Sequence, residues 1–201
     1  MKILLRSAIA VVIGLLLGIA TSLLQTVLPA AVSPLANSGA PWALAGILVA
    51  YLFRRTGWEA VALGVFVLAG EVAGYYLTTV LRGFDVSFAA IGFWLVAAVV
   101  FGAIGGLAAG LLRGESPWWR LAGLAVPAGI LLGEGAHLAF FVGQPELFWY
   151  GIGSMVLGAA CGVVGAIRMG RTAAQWLAGC VGFVVVGLVI TAVYGATALV
   201  V

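Results

Sequence analysis

The chain has 201 residues, of which 65% are hydrophobic and 7% are charged, and its formal net charge is +3. Soluble globular domains carry roughly 25% charged residues, so this composition excludes a water-soluble domain. The basic residues lie between hydrophobic runs rather than in one patch, which gives no indication of nucleic-acid binding. We therefore predict an all-α, polytopic transmembrane bundle, with residues 1–201 forming a single integral membrane domain.

Seven apolar runs follow one another along the chain, and a membrane-spanning helix needs about 20 such residues. The first run follows a basic start, as in a signal peptide, but it exceeds the roughly 15 apolar residues of one, so we expect it to be retained. The second run is short, and we expect it either to begin in the preceding SPLANSGAP stretch or to insert only partly. The predicted spans are residues 7–29, 39–53, 58–80, 87–111, 121–142, 147–167 and 173–198.

The positions of Lys and Arg predict the orientation, because basic residues near span ends stay in the cytoplasm. With seven spans and a cytoplasmic N-terminus, Arg82 alone among them lies outside, next to Asp85. Omitting any middle span would scatter the basic residues over both faces, so we predict that the C-terminus lies outside. The residues assigned to the cytoplasmic side are Lys2, Arg6, Arg54, Arg55, Arg113, Arg120, Arg168 and Arg171.

The last six spans resemble three helical hairpins that follow one initial helix. Each hairpin enters behind a Trp, turns at an Arg-containing inner loop and returns behind another Trp. Interfacial Trp and inner Arg also recur in multi-span proteins without duplication, so both explanations stay open. The Trp residues concerned are Trp42, Trp94 and Trp149 at the entries and Trp58, Trp119 and Trp176 at the returns.

Two carboxyl groups lie at similar depth inside the predicted bundle. Glu71 is near the middle of the third span and Glu134 is just beyond the middle of the fifth, and both spans run in the same direction. A charged side chain at mid-membrane costs roughly 2.5–3.5 kcal/mol on insertion scales, so such groups normally face the bundle interior or a water-filled cavity. We predict that these two carboxyls either carry protons or await a cation.

Aromatic and polar residues near the two carboxyls complete a predicted binding site in the outer half of the bundle. His137 lies one helical turn beyond Glu134, and Tyr75 lies one turn beyond Glu71. A cup of carboxylates and aromatic rings suits an organic cation, through charge pairing and cation–π contact. The predicted substrate-binding residues are Glu71, Glu134, His137, Tyr75, Gln25 and Trp94.

Small residues recur at four-residue intervals in the predicted inner half, where they let helix backbones approach closely. We therefore expect a tightly packed cytoplasmic half beneath the polar outer half. These residues are Ala10, Gly14 and Gly18 on the first span, Gly102, Gly106 and Gly110 on the fourth, and Gly158 and Gly162 on the sixth.

Signals for enzymatic chemistry are weak. Ser154 lies at a depth near His137 and Glu134, so an intramembrane Ser hydrolase is one alternative, but Ser beside Gly in a span usually serves packing. The sequence contains no nucleotide-binding or HExxH motif, and Cys161 and Cys180 lack the spacing of a zinc site. We predict a protein that is not an enzyme and that has no catalytic residues, metal or cofactor.

The stretch LANSGAPWALAG at residues 35–46, with TSLLQTVLP at 21–29 and GEVAGYYLT at 70–78, resembles an uncharacterised bacterial family of small multi-span membrane proteins. This resemblance spans most of the chain and implies no activity or catalytic residue. A looser resemblance is to the substrate-binding membrane subunits of energy-coupling-factor vitamin transporters, in length, in the small residues of the first span and in the outward polar pocket. Those subunits have six spans, so this likeness is an analogy.

These observations favour a small-molecule-binding transport protein of the plasma (inner) membrane, with an outward-facing site for a cationic or polar organic solute. Proton exchange on the carboxyls could drive it, or a membrane or cytoplasmic partner subunit could. The main alternative is a non-catalytic assembly or scaffold protein whose intramembrane Glu residues pair with a partner. Membrane lipids and a small cation or proton are the other expected partners, and no nucleic acid is expected.

Overall fold

A computed structural model describes residues 2–197, and the side chains of residues 3–196. Within these residues all regular structure is helical, and six helices are long and apolar enough to cross a membrane. The chain is therefore a polytopic helical membrane protein, as predicted. Its helices are α1 (Lys2–Leu24), α2 (Pro34–Asn37), α3 (Gly39–Leu52), α4 (Gly57–Leu81), α5 (Phe88–Leu112), α6 (Pro117–Phe140), α7 (Pro145–Met169) and α8 (Ala173–Thr197).

The predicted second span is α3, a helix of 14 residues that begins at Gly39 inside the SPLANSGAP stretch. At 1.5 Å per residue it is about 21 Å long, which is shorter than the roughly 30 Å hydrocarbon core of a bilayer. The structure thus contains six helices of spanning length and one shorter apolar helix within the described residues. The seven-span count and the orientation depend on α3 and stay predictions.

Most predicted spans agree with the helices to within a few residues, but the first does not. The predicted range was 7–29, whereas α1 covers Lys2–Leu24. The helix ends early because Gln25 and Thr26 lie in a turn, and Pro29 cannot continue a helix. At the other end of the chain, residue 198 of the predicted last span lies outside the described residues, as does the side chain of Lys2.

The chain divides into two compact units, and the first comprises residues 1–28 and 35–110. In this unit α1 and α4 run parallel, since Gly14 lies against Val67 and Gly18 lies against Tyr75. The shorter α3 runs antiparallel to α4, because the ring of Trp42 contacts that of Tyr75. These directions are those that the predicted topology requires of α1, α3 and α4.

Helix α5 packs on α4 through small residues in the half that was predicted to face the cytoplasm. Backbone atoms of Gly102 and Gly106 contact Gly64 and Ala60 so closely that a Cβ on these glycines would overlap them. The two helices run antiparallel, because the later glycine on α5 meets the earlier residue on α4. The predicted tight packing by Gly102 and Gly106 is therefore confirmed in this unit, whereas Gly110 is buried but a Cβ there would make ordinary contacts at 3.4 Å.

The second unit comprises residues 29–34 and 111–201, of which the structure describes those up to 197. Helix α6 lies at its centre and packs against both α7 and α8. It runs antiparallel to α7, where Gly135 lies against Gly151, and parallel to α8, where Gly129 lies against Phe183. Gly158 on α7 packs on α6, and Gly162 packs on the ring of Phe183, as the small-residue pattern predicted.

The boundary between the units falls between α5 and α6. These two helices were predicted to form the second of three hairpins, but they belong to different units. Each unit instead contains one pair of parallel helices, α1 with α4 and α6 with α8. The prediction of one membrane domain over residues 1–201 stays a prediction.

Candidate functional site

Glu71 lies in the middle of α4 and its side chain is only 1% exposed. Within residues 2–197 neither of its carboxyl oxygens has a hydrogen-bond partner. The backbone around it is tightly enclosed, because Gly14 and Gly18 of α1 contact the main chain of Glu71. Close helix packing therefore holds an unpaired carboxyl group at the centre of the first unit.

One helical turn beyond Glu71, Tyr75 joins α4 to the segment that follows α1. Its hydroxyl group donates a hydrogen bond of 2.9 Å to Oε1 of Gln25. The amide nitrogen of Gln25 in turn donates to the carbonyl oxygen of Ala36, at 3.4 Å. Trp42 packs edge-on against the Tyr75 ring, with 5.7 Å between the ring centroids. The structure thus brings together two predicted site residues, Tyr75 and Gln25, one turn from Glu71.

A second polar layer lies one further turn along α4. The hydroxyl groups of Ser22 and Thr79 are 3.0 Å apart, and the Ser22 side chain is fully buried. The guanidinium group of Arg82 donates to the carbonyl oxygen of Ser22 and, at 2.9 Å, to Oγ1 of Thr26. Arg82 therefore ties the end of α4 to the last turn of α1.

Several residues of and around these polar layers, Arg82 and Trp42 among them, were not predicted as site residues. Arg82 was assigned to topology alone, and its hydrogen bonds to Ser22 join residues 60 positions apart, which sequence spacing does not reveal. Trp42 was assigned to the membrane interface, and the structure gives it the further contact with Tyr75. The one available signal for Arg82 was that it alone among the basic residues was predicted to lie on the outer side.

Glu134 lies on α6 in the second unit and is also 1% exposed. Unlike Glu71 it has a hydrogen-bond partner, because the hydroxyl group of Tyr194 on α8 donates to its Oε2 atom. Thr191, nearly one turn earlier on α8, donates to the carbonyl oxygen of Gly133 at 3.0 Å. These two hydrogen bonds join α8 to α6 beside the carboxyl group of Glu134.

His137 extends this cluster by one turn of α6. Its ring stacks on Tyr194 with 5.1 Å between centroids, and on Phe141 at 6.2 Å. Its Nδ1 atom is buried without a hydrogen-bond partner among the described residues. Glu134 and His137, predicted on one helix face, thus both contact Tyr194.

The remaining predicted residue, Trp94, lies apart from the polar layers of its unit. Its side chain is 45% exposed and its ring contacts that of Phe93. No hydrogen bond or ring contact joins it to Tyr75 or Gln25 in the described part of the chain. Trp94 is in the first half of α5, whose side chains are largely exposed, as for a helix surface that faces lipid.

The two Gly-Glu pairs of the sequence have the same local setting in their separate units. Gly70 lies against the backbone of α1 and Gly133 lies against that of α8, each at a crossing of parallel helices. The following residue, Glu71 or Glu134, is buried in each case. The predicted equivalence of these two positions therefore extends from sequence to packing.

The conformation encloses both carboxyl groups. Neither of them lines either of two grooves on the surface of the described residues. One groove lies between the first turns of α1 and α4, and the other lies at the turn that joins α6 to α7. A solute would reach Glu71 or Glu134 only after the neighbouring helices moved.

Two further findings concern chemistry at these sites. Ser154 donates a hydrogen bond of 2.9 Å to the carbonyl oxygen of Leu131, so its hydroxyl hydrogen is directed at the backbone of α6. Among residues 2–197 no group of three His, Cys, Asp or Glu side chains could hold a metal ion.

Comparison with known proteins gives a family but no activity. No curated protein and no solved structure matches the chain. The sequence model of DUF6518, described as a family of unknown function, matches residues 1–199. The resemblance to an uncharacterised family of membrane proteins is confirmed at that level. Since the match covers nearly the whole chain, the protein belongs to the DUF6518 family.

Proposed function

We propose that this protein transports a cationic or polar organic solute across the plasma (inner) membrane, in exchange for a proton carried by Glu71. The observation that carries the proposal is the complete burial of a carboxyl group with no hydrogen-bond partner among the described residues. Burying an unpaired polar group is destabilising, and acids within spans commonly mark ion or substrate pathways. We infer that Glu71 holds a proton in this conformation and exchanges it for the solute.

The polar layers beyond Glu71 suggest how access is controlled. The Tyr75–Gln25 bond and the Arg82 bonds to Ser22 and Thr26 join α4 to α1 and its following segment on one side of the carboxyl group. In the predicted orientation this is the outer side. We propose that the enclosed state is the proton-loaded one, and that separation of the outer ends of α1 and α4 admits the solute.

Charge and shape around Glu71 favour a cation. Loss of the proton leaves a carboxylate, so binding of a singly charged cation keeps the net charge of the site unchanged. The rings of Trp42, Tyr75 and Tyr76 form a contiguous aromatic group, with centroid separations of 5.7 and 5.1 Å. Aromatic faces attract organic ammonium groups through cation–π contact. A small hydrated metal ion benefits less from such a contact.

Glu134 has a secondary role in this proposal. Its bond from Tyr194 already compensates its burial, and Tyr194 also stacks on His137. We propose that the contacts among Glu134, Tyr194 and His137 stabilise the α6–α8 pair and that Glu134 can take up a proton. Glu71, by contrast, binds the solute. The contacts of Gln25, Tyr75 and His137 with their neighbours support these residues as parts of the proposed site. Trp94 is the predicted site residue with the least support.

Burial also bears on the alternative of an assembly protein that pairs through its intramembrane acids. A partner helix could bind Glu71 or Glu134 only if these groups were on the surface, and both are 1% exposed. For the hydrolase alternative, Ser154 would have to exchange its bond with the Leu131 carbonyl for one with His137. Transport also requires the helices around Glu71 to separate, but alternate opening and closing of a buried site is part of a transport mechanism, so we favour it.

The test uses purified full-length protein in liposomes that contain a pH-sensitive dye. Tetraphenylphosphonium, ethidium and choline are added outside as separate probes. We expect at least one cation to enter together with proton release from the lumen. Glu71→Gln should abolish this signal, whereas Glu146→Gln, which removes an exposed acid in the first turn of α7, should leave it unchanged. Absence of uptake for all three cations, or wild-type uptake by Glu71→Gln, would contradict the proposal.

A further inference from the structure

A groove of about 270 Å³ lies between the first turns of α1 and α4, within the first unit. Arg6, Ser7 and Arg55 line its polar part. Leu4 and Phe66 are among its apolar lining residues, and both are exposed. The groove therefore combines a basic end with an apolar surface that continues along the helices.

The charges of this groove are incompletely paired. Nε of Arg55 lies 3.1 Å from Oε2 of Glu59, which neutralises one of the two arginines. Arg6 makes no hydrogen bond or ion pair with any other residue that the structure describes. The three charged side chains that line the groove thus leave one positive charge in excess.

We propose that this groove binds the headgroup of an anionic phospholipid. The excess charge matches the single negative charge of a phosphodiester, and the exposed surfaces of Leu4 and Phe66 provide contact for an acyl chain. Basic pockets between transmembrane helices on the cytoplasmic side are known to favour acidic lipid headgroups. A soluble anion would gain nothing from the apolar walls, so the lipid explains both halves of the groove.

The position of the groove along the helices agrees with this occupant. Trp58 lines it and is 68% exposed, as expected of a ring at the membrane–water boundary. The groove lies at the N-terminal ends of α1 and α4. The sequence predicts that these ends face the cytoplasm, as nearly all Lys and Arg residues do. Anionic lipids of that leaflet attract basic residues close to the surface.

The binding test compares phosphatidylglycerol with phosphatidylcholine of the same acyl chains, added to the full-length protein in detergent. Native mass spectrometry counts the lipids that each protein retains. We expect preferential retention of one phosphatidylglycerol, and about five-fold weaker binding for each arginine changed in Arg6→Gln and Arg55→Gln. Arg171→Gln removes an exposed basic residue of the second unit and should leave the preference intact.

A second variant guards against misfolding as the cause of any loss. Glu59→Gln removes the one acid of the groove, so it should strengthen phosphatidylglycerol binding without affecting phosphatidylcholine. Equal retention of the two lipids by wild-type protein would overturn the proposal, as would an unchanged preference in the Arg6→Gln, Arg55→Gln double variant. Displacement of the lipid by an equal concentration of inorganic phosphate would also overturn it, because it would assign the site to a soluble anion.

Discussion

The hydroxyl group of Tyr75 on α4 donates a 2.9 Å hydrogen bond to the side-chain oxygen of Gln25, which follows the last turn of α1. The two residues are 50 positions apart, so this bond depends on the parallel packing of α1 and α4. It lies one helical turn from the unpaired carboxyl of Glu71. If Glu71 binds a solute as proposed, the stability of this end of the helix pair should affect access to its carboxyl group.

Removing the Tyr75 hydroxyl group should weaken this end of the helix pair. Tyr75→Phe keeps the ring contact with Trp42 but leaves Oε1 of Gln25 without its donor, so we expect a loss of about 1 kcal/mol in the free energy of unfolding. The measurement is unfolding by SDS in mixed micelles. Tyr76→Phe is the matched control, because the structure gives the Tyr76 hydroxyl group no hydrogen bond. Equal losses for both variants would show that the Tyr75–Gln25 bond contributes nothing.

Close contact between α1 and α4 predicts a strong effect of Gly18→Ala. A Cβ on Gly18 would lie 2.7 Å from the backbone nitrogen of Tyr75, and backbone atoms cannot move aside as a side chain can. The helices would have to separate, and we expect a loss of about 1–3 kcal/mol in the free energy of unfolding, as for an overpacked core.

Gly92→Ala is the control for this substitution. Gly92 is also inside a long helix, but no atom lies within 4 Å of a Cβ built there. Alanine forms helix more readily than glycine, so this variant should unfold at the same SDS fraction or a higher one. Gly18→Ala protein as stable as the control would contradict the close packing of α1 on α4.

The sequence predicted the long helices well because charge, Pro and Gly end nearly every apolar run. The third predicted span, residues 58–80, differs by one residue at each end from α4, Gly57–Leu81. The grouping of the helices was predicted less well, since the division between α5 and α6 depends on side-chain packing between distant segments. Hydropathy describes each helix alone and does not report which helices pack together.

For the candidate site, helical spacing was informative where the partners share a helix. It placed Tyr75 one turn from Glu71 and His137 one turn from Glu134, and the structure adds Gln25 and Tyr194 as their neighbours. Bonds between helices were less accessible to prediction. A single sequence does not show which residues on α1 and α4 face each other. The hydrogen bonds from Arg82 to Ser22 and Thr26 therefore could not be predicted from it.

Tyr194→Phe should loosen α8 from α6. The variant removes the hydrogen bond to Glu134 and keeps a ring that can stack on His137. Hydrogen bonds between membrane helices contribute about 0.6 kcal/mol on average and up to roughly 1.7, and burial of Glu134 favours the upper end. Unfolding in mixed micelles measures the loss. Tyr76→Phe is the control, since the hydroxyl group of Tyr76, in the first unit, makes no hydrogen bond among the described residues. A loss no larger than that of Tyr76→Phe would contradict this role for Tyr194.

The hydrogen bond from Ser154 to the Leu131 carbonyl oxygen predicts that the Ser154 hydroxyl group is a weak nucleophile. Its hydroxyl hydrogen is directed at the backbone, and no base accepts it, so a fluorophosphonate probe should not label this residue. The measurement is labelling of purified protein followed by mass spectrometry of the peptide that contains Ser154. Labelling that disappears in Ser154→Ala would contradict this prediction and would place the intramembrane hydrolase ahead of the assembly protein as the alternative.

Arg82 makes the most direct prediction about access to Glu71. Its guanidinium group reaches both the Ser22 carbonyl oxygen and Oγ1 of Thr26, near the C-terminal end of α1, where the helix dipole also favours a cation. Arg82→Gln removes the charge and the forked geometry, so the outer ends of α1 and α4 should separate more often. Arg82→Lys keeps the charge but lacks the planar fork, and an intermediate effect is expected.

The measurement is the rate at which a membrane-impermeant maleimide, added from outside, labels a cysteine introduced as Glu71→Cys, after Cys161 and Cys180 are changed to Ala. We expect faster labelling with Arg82→Gln than with native Arg82, and an intermediate rate with Arg82→Lys. Arg171→Gln serves as the charge-matched control and should not alter the rate. If Arg82→Gln leaves labelling unchanged, the bonds between Arg82 and α1 do not control access to Glu71, and the closure must reside in the Gly14–Gly18 packing beneath them.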